Sequence, residues 1–395
     1  MLTHSLPRKC VVVLALAALA LSSSCTKKET PAAPTPTYAP NLNISDLNNP
    51  TDGTVMFAPF NANVPGTGYL YIMDKNGKII QSKKTASYAV NFQRWVVNNQ
   101  VRYTYTEYNP NGYHIKNILY VAGDDVILDS NLNEIKRVDF LPANGRMADQ
   151  TLEDSHDFIY FSDDHYIAMS YYEKKVTNIP ASLNPSPSVK VAAPIIQEVN
   201  NGQVIWEWDA TNYPELYTSS VEGNSFGDTT QTQDYAHMNS LFIDPKDNNL
   251  IISFRNLNEI IKVNRTTGAI IWRLGGPNSD FVVSPDRKTL RQHHVTLTDN
   301  GQTMLIFDNG EATERPQTRI VEMQLDETAK TITSYKSLPV ANNVFTQYMG
   351  SVQKRGSTYF IGGGTGNYVM EMDNTTGKIM FQIKMDQSTY RAFKY

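Results

Sequence analysis

Residues 234–276 read DYAHMNSLFIDPKDNNLIISFRNLNEIIKVNRTTGAIIWRLGG, and their pattern decides the fold class. Four short apolar runs, Asn239–Asp244, Leu250–Arg255, Glu259–Asn264 and Ala269–Leu274, are separated by Lys246-Asp247-Asn248, Asn256-Leu257-Asn258 and Thr266-Thr267-Gly268. Short runs rich in Ile, Val and Phe suit strands, and the Asn, Asp, Thr and Gly between them suit tight turns. The stretch therefore predicts a four-stranded meander with Asn239–Asp244 innermost and Ala269–Leu274 outermost.

Its last hairpin, IIKVNRTTGAIIWRL (260–274), recurs along the chain. Upstream are YLYIMDKNGKIIQS (69–82), VILDSNLNEIKRV (126–138) and IIQEVNNGQVIWEW (195–208). Downstream are RIVEMQLDETAKTITSY (319–335) and VMEMDNTTGKIMFQI (369–383). The turn positions Gly77, Asn133, Gly202, Gly268, Ala329 and Gly377 stand about 60 residues apart on average. Helical periodicity is almost absent. Six regular strand–turn–strand units predict an all-β, six-bladed β-propeller over residues 46–395, because radial closure removes exposed sheet edges. A long sandwich or a pair of barrels is the competing architecture. The first blade reads one strand short. Residues 174–194 and 210–233, rich in Pro, Ser, Thr and Asn, read as insertions over one face.

The N-terminus carries an address. Arg8 and Lys9 precede an apolar run from Val11 to Leu21, followed by Ser22-Ser23-Ser24-Cys25. This is a secretory pattern, and the run is too short to span a bilayer. The cysteine after small residues resembles a bacterial lipobox. Residues 1–24 are expected to be a lipoprotein signal peptide, Cys25 the lipidated first residue, and residues 25–45 a flexible tether rich in Lys, Thr, Pro and Ala. The expected location is the bacterial cell envelope, lipid-anchored at the periplasmic or outer-membrane face.

Composition narrows the chemistry. Of 395 residues 41% are apolar and 19% charged, which supports a large packed core. A net charge of −4 offers no basic excess to neutralise phosphates, so no nucleic-acid partner is expected. The two cysteines, Cys10 and Cys25, both precede the repeats, so the folded part has no disulfide, zinc–thiolate site or cysteine nucleophile.

Three of the seven histidines hold one structural position. His156 precedes FIYFS, His237 precedes MNSLFID and His293 precedes HVTL, each placed just ahead of an expected inner strand, in the third, fourth and fifth blades. Inner strands start near the axis, so these side chains are expected to converge at one mouth of the channel. Convergent histidines bind a metal or an anion. Arg255, at the end of the strand beside that of His237, and Arg319 in the fifth blade favour an oxyanion, since cations repel a metal and a guanidinium holds sulfate or phosphate bidentately. Asp154, Asp157 and Asp234 nearby keep a metal open as the alternative. His114 and His165 fall in turn-like contexts and are expected to face solvent.

At these residues the chain resembles the bacterial aryl-sulfate sulfotransferases. The resemblance is carried by residues 234–276, by RQHHVTL (291–297), FDNG (307–310) and TRIVEM (318–323), and by DSHDF (154–158). The His-x-Asn-Ser element at His237, with Arg255 following it, is specific. The resemblance implies a six-bladed propeller that moves a sulfuryl group from a phenolic sulfate ester to a phenol without a nucleotide donor. It implies a sulfated histidine at His293, with His156, His237 and Arg255 holding the sulfate. Asn239, Arg319 and His294 are expected to contact substrate, His294 also being the alternative nucleophile. No cofactor and no metal are expected. Better-known members carry a separate N-terminal β domain and a disulfide, and neither is expected here. Two other readings remain: a non-catalytic propeller acting as a binding module or scaffold, and a quinoprotein-like propeller, which Thr-Gly-x-x-x-Trp (267–272) resembles. Arg255 beside His237 opposes the anionic site a quinone enzyme needs, and the tryptophan is expected to dock neighbouring blades.

Overall fold

The computed structural model describes residues 40–61, 68–138, 140–146 and 153–395. The expected signal peptide, Cys25 and most of the tether lie outside the described residues. In chain order the strands are β1 (Leu42–Leu47), β2 (Val55–Phe60), β3 (Tyr69–Met73), β4 (Ile79–Lys84), β5 (Ala89–Val97), β6 (Gln100–Tyr108), β7 (Ala122–Leu128), β8 (Glu134–Val138), β9 (Glu153–Ser162), β10 (His165–Val176), β11 (Val189–Asn200), β12 (Gln203–Asp209), β13 (Met238–Ile243), β14 (Leu250–Phe254), β15 (Glu259–Val263), β16 (Ile270–Gly275), β17 (His294–Thr298), β18 (Thr303–Asp308), β19 (Arg319–Asp326), β20 (Thr331–Pro339), β21 (Ser351–Arg355), β22 (Thr358–Gly362), β23 (Tyr368–Asp373), β24 (Ile379–Met385) and β25 (Ser388–Lys394). A one-turn helix, α1 (Glu215–Thr218), lies between β12 and β13.

The repeated hairpins of the sequence are the antiparallel pairs β3–β4, β7–β8, β11–β12, β15–β16, β19–β20 and β23–β24. Their turns close on themselves. Asp74 Oδ1 accepts from the backbone N–H of Asn76 and Lys78, both at 2.9 Å. Asn264 Oδ1 does the same for Thr266 and Thr267, and Asp373 Oδ1 for Thr375 and Thr376. Gly268 follows with φ +79°, a left-handed conformation that costs glycine nothing.

These strands build a five-stranded sheet ordered β1-β24-β23-β22-β21, an eight-stranded sheet and three four-stranded sheets: β13–β16, β17–β20 and β25-β2-β3-β4. The eight-stranded sheet is two meanders, β5–β8 and β9–β12, joined where Ala122 and Gly123 of β7 pair with Asp154 and Glu153 of β9.

Successive side chains on a strand point to opposite faces, and in this molecule both faces are covered. Ile251 and Ile260 pack with Val295, Ile306 and Val321 of the following sheet, whereas Ile252 and Ile261 pack with Ile159, Ile167 and Met169 of the preceding one. Leu305 and Phe307 then meet Val352 and Ile361, Phe360 and Val369 meet Val55 and Phe57, Met56 and Ile72 meet Phe92 and Tyr105, and Ile127 and Val138 meet Phe158 and Tyr166. The succession returns to its start, which makes the fold an all-β propeller. Each buried Ile, Val, Leu or Phe is worth about 1.5–3 kcal/mol relative to exposure. Double coverage explains why β14 (LIISF) and β18 (TMLIFD) are buried throughout and are apolar on both faces.

Closure answers the missing strand. β25, from the C-terminus, pairs with β2 and becomes the inner strand of the first sheet, while β1 pairs with β24 as a fifth strand. Residues 42–45 therefore belong to the folded body and not to the tether, a correction that polar, edge-bound LNISDL does not reveal in sequence because β24 alone supplies its ladder. Lys394 Nζ, fully buried, lies 2.6 Å from both Glu371 Oε2 and Thr51 O and fastens the closing strand. Only the ends of segment 174–194 are strand, since β10 runs to Val176 and β11 starts at Val189, and the chain between them holds a 3₁₀ turn at Ala181–Leu183. Trp208 Nε1 donates to Gly268 O and Trp272 Nε1 to Glu327 Oε2, each reaching the hairpin turn of the following sheet.

Candidate active site

His156, His237, His293 and Arg255 line one cavity of about 600 Å³. The imidazole centroids of His156 and His237 are 5.2 Å apart, and those of His156 and His293 5.6 Å apart. Tyr390 stands edge-on to His293 at 5.1 Å, and Tyr88, Tyr120 and Tyr348 add further aromatic wall.

Each histidine is held by different local means. His156 lies inside β9 and not ahead of it, at a bulge where the β9–β10 register shifts between Ala168 and Ser170. A bulge re-aims side chains. Its Nδ1 meets Asp154 Oδ2 at 2.6 Å. His237 precedes β13 with φ +51°, and its carbonyl accepts from the backbone N–H of Arg255 at 2.9 Å. Its Nδ1 meets Asp234 Oδ2 at 2.6 Å. His293 precedes β17, beside Gln292, whose Nε2 donates to Phe254 O at 3.0 Å and Glu259 O at 3.2 Å.

The tautomer of His293 follows from its partner. Nδ1 lies 2.9 Å from Gly350 O, and a carbonyl only accepts, so Nδ1 carries the proton. Nε2 is thus an unprotonated lone pair, buried without a hydrogen-bond partner. Gly350 permits this approach: with φ +103°, a Cβ there would stand 2.2 Å from Phe307 Cε1. Burial first, then Arg391 and His156, pushes the pKa of His293 well below the ordinary 6.5. The ring is neutral at neutral pH. Burial likewise lowers His156 and raises Asp154, so both lean toward their neutral forms.

Arg255 opens a 3₁₀ turn directly after β14. Its Nη1 donates to Asn256 Oδ1 at 2.6 Å and to Glu222 Oε2 at 2.9 Å, its guanidinium lies over the Tyr348 ring, and Nε finds no acceptor. The cavity thus combines a free nitrogen lone pair, two histidine–aspartate pairs, guanidinium and aromatic walls. Among the described residues, no group of three or more His, Cys, Asp or Glu side chains is arranged to hold a metal ion.

The arylsulfotransferase (ASST) family model matches residues 43–395. The chain belongs to the arylsulfotransferase family. Membership implies a sulfotransferase that takes a phenolic sulfate donor and a phenol acceptor. No curated protein matches the chain. Among solved structures it is similar to a protein of unknown function from Bacteroides caccae (10% identity, TM-score 0.49, 87% of this chain and 99% of that one). It is also similar to the periplasmic gluconolactonase PpgL of Pseudomonas aeruginosa (8% identity, TM-score 0.46, 87% and 99%). The β-propeller domain of Myceliophteria thermophila Cps50 (Swd1) gives 10% identity and TM-score 0.45, over 88% and 89%.

Three residues expected at the substrate in this arylsulfotransferase are not in the cavity wall. Asn239 is fully buried and its amide donates to Gln292 O at 2.7 Å, tying β13 to the approach of β17. Arg319 is consumed by Asp308 Oδ2 at 2.8 Å and by the carbonyls of Asp286 and Lys288. His294 is the first residue of β17, so its side chain points away from that of His293; it accepts from Val352 N and packs on Phe393. His114 and His165, expected in solvent, are half-buried and bonded to Asn109 O and Glu198 Oε1.

Sequence reasoning missed Arg391, which has no motif around it. Fully buried on the closing strand, it reaches Asp157 Oδ2 at 3.1 Å and Asn239 O at 2.9 Å. Asp157 also accepts from Leu241 N, so one ion pair joins β25, β9 and β13 behind the histidines. Tyr390, Arg291 and Glu222 were missed too. Of these only Arg291, two residues before His293 in RQHHVTL, carried a signal.

Proposed function

We propose that this protein moves a sulfuryl group from an aryl sulfate to a phenol in two steps through a sulfated His293, on a six-bladed propeller in which each half of the eight-stranded sheet counts as one blade. The observation that carries the reading is the free Nε2 of His293, held unprotonated by the Nδ1–H···O=C bond to Gly350. In the first step the Nε2 lone pair attacks sulfur, the ester S–O bond breaks, and the departing phenolate takes a proton from one of the two aspartate-backed histidines. In the second, that histidine removes the proton of the acceptor phenol, whose oxygen attacks sulfur as the N–S bond breaks. Sulfuryl transfer, like phosphoryl transfer, spreads charge over peripheral oxygens, so the cation Arg255 stabilises it throughout. Tyr88, Tyr120, Tyr348 and Tyr390 suit a phenol ring. No resident metal or cofactor enters the scheme. Cleavage of residues 1–24 and lipidation of Cys25 would place the enzyme on the cell envelope.

Incubation with an aryl sulfate and no acceptor should add about 80 Da, the mass of SO₃, to the peptide carrying His293, and an added phenol should discharge it. Turnover without any histidine adduct, with intersecting initial-rate lines, would point to direct transfer and sink the covalent reading.

A further inference from the structure

Arg255 and Arg291 converge on one carboxylate oxygen. Oε2 of Glu222 lies 2.9 Å from Nη1 of Arg255 and 2.6 Å from Nη1 of Arg291. All three residues line the cavity that contains His293. Their burial is lopsided: the arginine side chains keep 14% and 16% of their exposure, the glutamate 46%. A guanidinium is a fork that matches two oxygens of a carboxylate or sulfate. Here two forks share a single oxygen. Arg255 Nε has no acceptor, and the Arg291 contact is a close ion pair without hydrogen-bond alignment. Glu222 is the one carboxylate in contact with both guanidinium groups, with Glu311 acting on Arg291 from further off, so two largely buried cations share one direct anionic partner. The one member free to leave is Glu222, whose carboxylate already faces solvent.

We propose that Glu222 is an internal stand-in for the substrate's sulfate: it fills the Arg255–Arg291 clasp in the free enzyme and swings out when the sulfate ester of the donor arrives, so that Arg291 shares the sulfate with Arg255. The inference rests on the sulfuryl-transfer reading above and adds two roles to it. Arg291 becomes a substrate-binding residue, and Glu222 a competing anion that sets donor affinity. It also gives a physical basis for selecting esters with an anionic group, because a neutral ester brings nothing that displaces the carboxylate. Three peripheral sulfate oxygens satisfy both forks where one carboxylate oxygen does not.

Calorimetric titration of the full-length protein with inorganic sulfate, at constant ionic strength, tests this without requiring turnover. Glu222→Gln should tighten sulfate by about tenfold, as removal of a competing charge-assisted partner would, and Glu222→Ala should do the same. Arg291→Gln should weaken sulfate about tenfold and reduce the gain from Glu222→Gln to less than about twofold, since the two changes act through one contact. In steady state Glu222→Gln should lower KM for the aryl sulfate with kcat little changed. Unchanged or weaker sulfate binding in both Glu222 variants, at wild-type unfolding temperature, overturns the stand-in, as does binding in neither variant nor wild type. Unchanged binding in Arg291→Gln removes Arg291 from the site. If sulfate responds as expected while no aryl sulfate is turned over, the clasp stands and the transfer reading falls. If transfer proceeds and sulfate affinity ignores Glu222, the reverse holds.

Discussion

The outer hairpin turns and the entrances of the inner strands draw on the same polar residues, yet they obey different rules. The bonds that close the turns are local: Asn264 reaches Thr266 and Thr267, and Asp326 reaches Thr328 and Ala329. At the entrances His156 and His237 pair with nearby Asp154 and Asp234, but the bonds that fasten the strands to one another are remote. Asn239 donates to Gln292 53 residues on, Asp157 accepts from Leu241 84 residues on, and Arg391 reaches Asn239 152 residues back. The turns repeat because each solves the same local problem. The entrances differ from one another because each contact joins two unlike sheets. The ring is thus assembled from similar outer hairpins, whereas the inner strands around the cavity are fastened by polar contacts that differ from sheet to sheet.

The hardest test of that contrast sets two adjacent histidines against each other. His293→Asn should cut turnover by more than about ten-thousandfold, the scale seen when a covalent nucleophile is removed, with little change in unfolding temperature. His294→Asn should keep turnover within about threefold, since it loses only a contact behind the cavity, and cost about 1–2 kcal/mol of stability. Equal losses of turnover would place both rings at the reaction and break the distinction drawn from the start of β17.

Next in size is Arg391→Met. It leaves the Asp157 carboxylate buried without its ion-pair partner and should cost about 3–5 kcal/mol in urea unfolding. Because Arg391 also lowers the pKa of His293, its removal should move the acidic limb of the kcat/KM profile to higher pH. A stability loss without any such movement would make Arg391 a fastening of the ring alone.

The pH dependence of stability isolates a smaller effect. Burial first, then Arg391, holds His294 well below the unfolded value of 6.5. Between those two values the unfolded chain binds a proton that the folded chain does not. The contribution of His294 is therefore fully present above pH 6.5 and lost as pH falls below it. Below that pH the wild type should lose stability more steeply than His294→Asn by about 1.4 kcal/mol per pH unit. Urea unfolding from pH 7.5 to 5.5 measures the difference, and parallel curves would show that the ring accepts a proton in place.

The smallest change belongs to the periphery. Asn264→Ala removes two hydrogen bonds within one turn and should cost about 1 kcal/mol, with turnover unchanged. A loss of activity there would show that the outer turns are coupled to the cavity after all.

By itself the sequence determined the strands, the hairpins and their spacing, because the period-2 pleat and the Asx–Gly turn are written within a few neighbouring residues. It also marked His156, His237, His293 and Arg255, each of which stands in a motif at or near the end of a strand. It did not contain the sheet closure, because β25 and β1 find their partners more than three hundred residues away, at Val55↔Lys394 and Leu42↔Met385. It overvalued Asn239, Arg319 and His294 for the same reason: residue type and position do not say which way a side chain turns once two sheets meet. Arg391, Gln292 and the Arg255–Glu222–Arg291 cluster acquire meaning only when the ring brings distant segments together. Tertiary structure decided these because a buried polar group must find its partner wherever packing places one, and in a closed ring that partner lies on another sheet.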